Sequence, residues 1–241
     1  MNRFHYVLLL TLLVSTPSPG QKTDRQASQQ PISEASGQVR ELHFVSIAKG
    51  WVVAEEALRD YEFASDHRVK HGGASGVHIK SISPRSSAGV LRQAIKSDHY
   101  RGKRVRFSGY VRSEILEGWS CLWMRIDGEQ GYRLSLDNMP NRPIKGTTDW
   151  TKYEIVLDVP VNSIAMTFGV VLAGKGEVLA DDLRIEVVGT EVATSEAYYG
   201  KSQTPASSQA ESKREAYARR LLADLKELPL EPANLDFEDK K

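Results

Sequence analysis

Seven residues of this chain have the types and spacing to do chemistry together: Tyr110, Arg106, Arg112, Trp119, Trp123, Arg125 and Asp127. They fall on the polar parity of two segments that alternate with period two. In the first, Val105, Phe107, Gly109 and Val111 take one parity, and Arg106, Tyr110 and Arg112 the other. In the second, Leu122, Met124 and Ile126 oppose Trp119, Cys121, Trp123, Arg125 and Asp127. Successive side chains of a strand point to opposite faces. If the two segments are neighbouring strands, aromatic planes and hydrogen-bonding groups share one surface. A sugar offers an apolar C–H face and many hydroxyls, so rings flanked by Arg and Asp suit it. The same pattern has a structural reading, in which the tryptophans close the second side of a sandwich under a loop. Arg125 and Asp127 are then a surface ion pair.

Catalytic patterns are weaker. Glu114, Glu117, Asp127 and Glu129 surround Trp119 and could supply the two carboxylates of a glycoside hydrolase, the minority reading. His71-Gly72-Gly73-Ala74-Ser75-Gly76 departs from a nucleophile elbow, because Val77 stands where the last glycine of Gly-x-Ser-x-Gly is needed. The glycines read instead as a turn before the strand carrying Val77 and Ile79. His5, His43, His67, His71, His78 and His99 show no paired spacing of zinc ligands. A non-enzyme is expected.

The elements that must position these residues are strands. Tyr153, Ile155, Leu157 and Val159 continue the alternation, as do Ile164, Met166, Phe168, Val170 and Leu172, then Leu183, Ile185 and Val187. Turn residues punctuate them at Asp127-Gly128, Asp137-Asn138 and 173–176. Half-buried strands between such turns predict an all-β fold, an antiparallel sandwich of jelly-roll type, and the chain has no glycine-rich nucleotide loop or βαβ alternation. Towards the C-terminus Tyr217, Leu221, Leu225 and Leu228 recur at helical spacing and predict an amphipathic helix over 213–228, ended by Pro229 and Pro232. Its stripe can pack on the sandwich or bind a protein partner.

Composition narrows the classes. With 32 Lys plus Arg against 31 Asp plus Glu the formal charge is +1, which argues against a general nucleic-acid binder. One cysteine leaves no intramolecular disulfide framework, so Cys121 is expected to be buried rather than a cross-linker between chains. Residues 1–20 have the order of a secretory signal: Arg3, an apolar run from Val7 to Val14, then small residues and two prolines. That run is too short for a bilayer span, which needs roughly 20 apolar residues. The expected location is therefore periplasmic or extracellular, with no transmembrane span after cleavage. Residues 21–38 read as a flexible leader, 39–188 as the β-sandwich and 189–212 as a linker. The helix follows, and 229–241 is the tail.

The segments Gly50-Trp51, Tyr61-Glu62, GGASGVHIKS (72–81), YRGKRVRFSGYVRSE (100–114), LWMRID (122–127), DNMPNRPIKGTTDWTKYEIVLDVP (137–160) and ADDLRIEVV (180–188) together carry a resemblance. In their order the chain resembles a bacterial carbohydrate-binding-type jelly roll of the galactose-binding-like class. It is similar to accessory domains of bacterial multidomain proteins. The resemblance implies a glycan or polysaccharide as partner. In such modules it also implies a structural calcium, held by oxygens of the first and last strands, with Asp181 as the candidate ligand here. The tail PANLDFEDKK (232–241) resembles the opening strand of the same module, as if a second unit began there. Set beside QVRELHFVSI (38–47), it places Glu238 at Val45. The first strand thus lacks the acidic ligand, and Asp181 bonded to backbone amides is the expected arrangement.

Overall fold

The computed structural model describes residues 44–67, 70–83, 88–195 and 208–238. The expected signal segment and leader lie outside the described residues. What is described is an antiparallel β-sandwich with one helix, as the alternation predicts.

Nine strands build it: β1 (Phe44–Ala48), β2 (Trp51–Ala54), β3 (Tyr61–Asp66), β4 (Gly76–Ser81), β5 (Ala88–Lys96), β6 (Arg104–Gly128), β7 (Arg133–Asp137), β8 (Ile144–Asp158) and β9 (Ser163–Val188). The two long strands, β6 and β9, run antiparallel from Arg104 opposite Val188 to Gly128 opposite Ser163. Midway they bend together. Register shifts cluster between Glu114 and Glu117, and Gly118 and Gly174 take φ of 145° and 97°. A Cβ on Gly118 would strike the Ala173 carbonyl, and one on Gly174 the Glu117 carbonyl, so only glycine lets the strands pass this closely.

The bend divides the sheet into two limbs. In the first, β8 flanks the N-terminal half of β6, while β4 and then β3 lie beyond the C-terminal half of β9. In the second, β7 flanks the C-terminal half of β6, and β5, β2 and β1 follow beyond β9. The limbs face each other across one apolar core in which Phe107 of the first meets Phe168 of the second, ring centroids 5.3 Å apart. Odd residues of β6 point inward before the bend (Val105, Phe107, Val111). Even residues do so after it (Leu122, Met124, Ile126). The irregular residues between Val111 and Ser120 absorb that change of parity.

Helix α1 (Ser208–Leu225) starts and ends earlier than its sequence period suggests, and it occupies the end of the expected linker. Its stripe packs in cis: Tyr217 and Leu221, with Leu228 just beyond the helix, join Ile164 and Ala165 in a small apolar cluster, with Leu225, Phe44 and Ala94 against it. The tail, through Glu238, packs on the sandwich. Phe237 is buried against Trp51, ring centroids 5.2 Å apart, and the Trp51 indole donates to the Asn234 carbonyl at 2.8 Å. Gln93 clamps Ala233 through both its main-chain N–H (2.7 Å) and its carbonyl (2.8 Å). The Glu238 carboxylate accepts the main-chain N–H groups of Ala74 and Ser75. The tail therefore completes this sandwich.

Candidate functional site

The seven predicted residues all lie on β6, not on two neighbouring strands. The change of parity at the bend puts Arg106, Tyr110 and Arg112 on the outer face of the first limb. Trp119, Trp123, Arg125 and Asp127 are on the outer face of the second. Because the limbs stack through their inner faces, the two groups look away from each other and form no single platform.

On the first limb Tyr110 has ring partners that the sequence period alone did not single out. His71 stacks on it with ring centroids 3.6 Å apart and planes 11° from parallel. Trp150 meets His71 edge-on at 5.8 Å. Tyr110 pairs with Lys152 on β8, and Trp150, two residues before, shares that face. His71 is held by two carboxylates. Asp181 accepts the main-chain N–H groups of His71 (2.8 Å) and Gly72 (3.0 Å), and Asp182 accepts from His71 Nδ1 at 2.9 Å. The signal for His71 was present in the Gly72-Gly73 turn beside it. Only the loop's return to β9 shows what the ring touches.

Arg112 pairs with Glu114 at 2.6 Å. Arg106 lies 3.6 Å from Glu154 and 4.0 Å from Glu186, and its Nε has no hydrogen-bond partner. Around three rings the face thus carries charged groups of both signs, a surface that can stack on a flat partner and hydrogen-bond to its rim.

On the second limb the aromatic side chains are covered. Trp123 is 3% exposed, and Trp119 is partly buried against the core. Arg125 and Asp127 are not a surface pair: Asp127 is fully buried, 2.6 Å from Arg125 and accepting a 2.8 Å bond from the Tyr217 hydroxyl of α1. The guanidinium of Arg125 lies 4.4 Å from the centre of the Tyr217 ring. Burial pushes the Asp127 carboxyl above the usual range, against the pull of Arg125 and the Tyr217 hydroxyl. Cys121, in the same row of parity, is buried as expected, and burial raises its thiol pKa.

Asp181 lies opposite Tyr110 on the outer face although Leu183, of the same parity, is in the core, because Asp182 takes a left-handed φ of 50° and shifts the alternation of β9. Its two oxygens receive three main-chain N–H groups, those of His71, Gly72 and, at 2.7 Å, Asp182. These three bonds are the backbone-bonded arrangement expected for Asp181. Among the described residues no group of three or more His, Cys, Asp or Glu is placed to hold a metal ion.

The carboxylates considered for hydrolysis are dispersed. Glu114 is taken by Arg112, and Glu117 reaches Lys175 at 3.7 Å on the exposed bend. Asp127 lies under α1, and Glu129 opens the short 3-10 turn Glu129–Gly131. Ser75 is buried, and its hydroxyl donates to the Phe237 carbonyl at 2.6 Å.

Fold and site together define a β-sandwich that presents a three-ring cluster on one outer face and covers one end of the other with its own helix. No protein-family model matches the chain. It is 38% identical over 146 residues to the uncharacterized HTH-type transcriptional regulator YbfP of Bacillus subtilis (strain 168), a match over 60% of this chain and 50% of that protein. The chain thus spans about half the length of this curated relative. Similar solved structures include the C-terminal family 22 carbohydrate-binding module of Clostridium thermocellum Xyn10B, at TM-score 0.42 and 14% identity over 60% of this chain and 89% of that one. The CBM22-1 xylan-binding domain of Paenibacillus barcinonensis Xyn10C gives TM-score 0.42 and 14% identity over 58% and 86%.

Proposed function

We propose that this chain is an exported, non-catalytic module that recognises carbohydrate through the first-limb face. The observation that carries this reading is the cluster of Tyr110, His71 and Trp150 on an outer sheet face, with Arg112, Arg106 and Lys152 around it. Aromatic faces take the C–H side of a sugar ring, and the charged rim takes its hydroxyls. Export is supported by the order of residues 1–20. No helix among the described residues is long and apolar enough to cross a membrane.

A second reading, an accessory interaction domain without a sugar site, is favoured by the burial of Trp123. The likeness to an HTH-type regulator is compatible with recognition of either kind.

A glycan array with wild-type protein and the variants Tyr110→Ala and Trp150→Ala separates the two. Carbohydrate recognition predicts array signals that fall at least about tenfold in both variants while their melting temperatures stay close to wild type. An array on which the folded wild type gives no signal removes the sugar and leaves the interaction reading.

A further inference from the structure

The outer face of the second limb, whose Asp127, Arg125 and Ala94 end lies under α1 while Trp123 packs with the main core, is built in rows across three strands. Trp123 of β6 lies opposite Gly169 of β9, which lies opposite Arg92 of β5. In the next row are Arg125, Thr167 and Ala94. Cross-strand partners share a face, so two guanidinium groups and an indole N–H meet on one buried surface. Gly169 places no side chain between Trp123 and Arg92.

Charges and hydrogen bonds on this surface are incompletely matched. Arg92 is 5% exposed, sits over the Phe44 ring at 3.9 Å, and has no hydrogen-bond partner for Nε. Trp123 Nε1 and Thr167 Oγ1 are also buried without partners. Asp127 is already engaged by Arg125 and Tyr217. Buried polar groups are nearly always satisfied, and three orphans in two adjacent rows point to something that binds there. Burial pulls the Arg92 pKa down to about 10, while Tyr217 and Asp224 of α1 favour its charge. Above the Arg125 and Arg92 rows, α1 is held by an apolar cluster separate from the main core and by the Tyr217–Asp127 bond, contacts that can release without opening the sandwich.

We propose that this second-limb face is a binding site for an acidic sugar, its carboxylate received by Arg92 and its hydroxyls by Trp123 Nε1 and Thr167, with α1 as the lid that leaves to admit it. Tyr217 stands in for the ligand in the closed form: its ring lies beneath a guanidinium, and its hydroxyl bonds to the carboxylate that a sugar hydroxyl would reach. Trp123 and Arg92 are two strands apart, about 10 Å at the usual strand spacing. That separation suits two linked sugar rings better than a single inorganic anion. The site is independent of the Tyr110 face, being on the opposite limb and of different charge.

The test is calorimetric titration of the full chain with trigalacturonate, alongside neutral xylohexaose, at two salt concentrations. Trigalacturonate is expected to bind more weakly at the higher salt. Arg92→Gln and Trp123→Phe should each lose at least about tenfold in affinity. Tyr217→Ala should gain several-fold by loosening the lid, and Lys175→Ala, on the exposed bend, should change nothing. Hydrogen exchange supplies a readout on the unmutated protein: main-chain amides of 208–225 should exchange faster when trigalacturonate is bound. No binding by either wild type or Tyr217→Ala overturns the proposal. So does binding that Tyr110→Ala abolishes, or helix exchange that saturating trigalacturonate leaves unchanged. Xylohexaose binding alone also overturns it and leaves the Tyr110 reading standing.

Discussion

Tyr217 and Asp127 are 90 residues apart in the chain, and the Tyr217 hydroxyl donates to the Asp127 carboxylate at 2.8 Å. Through this bond the C-terminal helix closes over the C-terminal end of β6. Asp127 lies in a place where a bare carboxylate would be strongly disfavoured, and Arg125 on one side and Tyr217 on the other make its burial tolerable.

Removing the partners one at a time should separate their contributions. Tyr217→Phe keeps the ring beneath Arg125 and is expected to cost about 1.5–3 kcal/mol, the range for a hydrogen bond to a charged group. Asp127→Ala leaves the Arg125 guanidinium buried and unpaired and should cost about 3–5 kcal/mol. Urea unfolding followed by tryptophan fluorescence measures both. A Tyr217→Phe midpoint equal to wild type would show that the bond contributes nothing.

The tail is expected to behave as part of the core. Phe237 is 2% exposed and packs on Trp51, so Phe237→Ala should destabilise by about 3–5 kcal/mol. Ending the chain after Leu228 should destabilise it at least as much. A truncated chain with an unchanged unfolding midpoint would mean that the tail is a separate unit after all.

Acid should loosen the tail at Glu231. Its carboxylate bonds with His99 and accepts the Tyr100 hydroxyl at 2.7 Å, and these bonds, that with His99 foremost, hold its pKa below the ordinary value of 4.5. A lowered folded-state pKa means that the unfolded chain takes up the proton first. The contribution is complete above the unfolded value and fades as pH falls through the folded one. Melting temperature should therefore drop more steeply below pH about 4.5 in wild type than in Glu231→Gln. Parallel curves would contradict this.

Chelation should leave the protein unchanged. Because Asp181 is filled by three N–H donors, scanning calorimetry with EDTA and with added calcium is expected to give the same melting temperature. Asp181→Ala, by contrast, strands those donors and should cost about 1–3 kcal/mol. It also frees His71 from Tyr110, visible as a change in near-ultraviolet dichroism. A calcium-dependent rise in melting temperature would restore the metal.

Much of the fold is legible without coordinates because alternation is a local property. Val105, Phe107 and Val111 are inward, as are Leu122, Met124 and Ile126, and each set follows from period two within a few residues. The helix is legible for the same reason, since Tyr217, Leu221, Leu225 and Leu228 recur along one stripe. The relation between such sets is not local. Between Val111 and Ser120 the strand loses register with its neighbours, and each slip exchanges the faces of every residue after it. Tyr110 and Trp123, alike in chemistry and thirteen positions apart, thereby end on opposite sides of the molecule.

The sequence by itself determined an antiparallel all-β chain with an amphipathic C-terminal helix, a buried lone cysteine and aromatic residues on polar parity. Those properties follow from side-chain size, polarity and period. Only the tertiary structure decided which aromatic residues meet. It joined His71 and Trp150 to Tyr110, set α1 over Arg125 and Asp127, and seated Phe237 on Trp51. Each of these contacts is closed by a loop or a tail returning across the sheet, and its geometry depends on bends and left-handed residues that have no period to read.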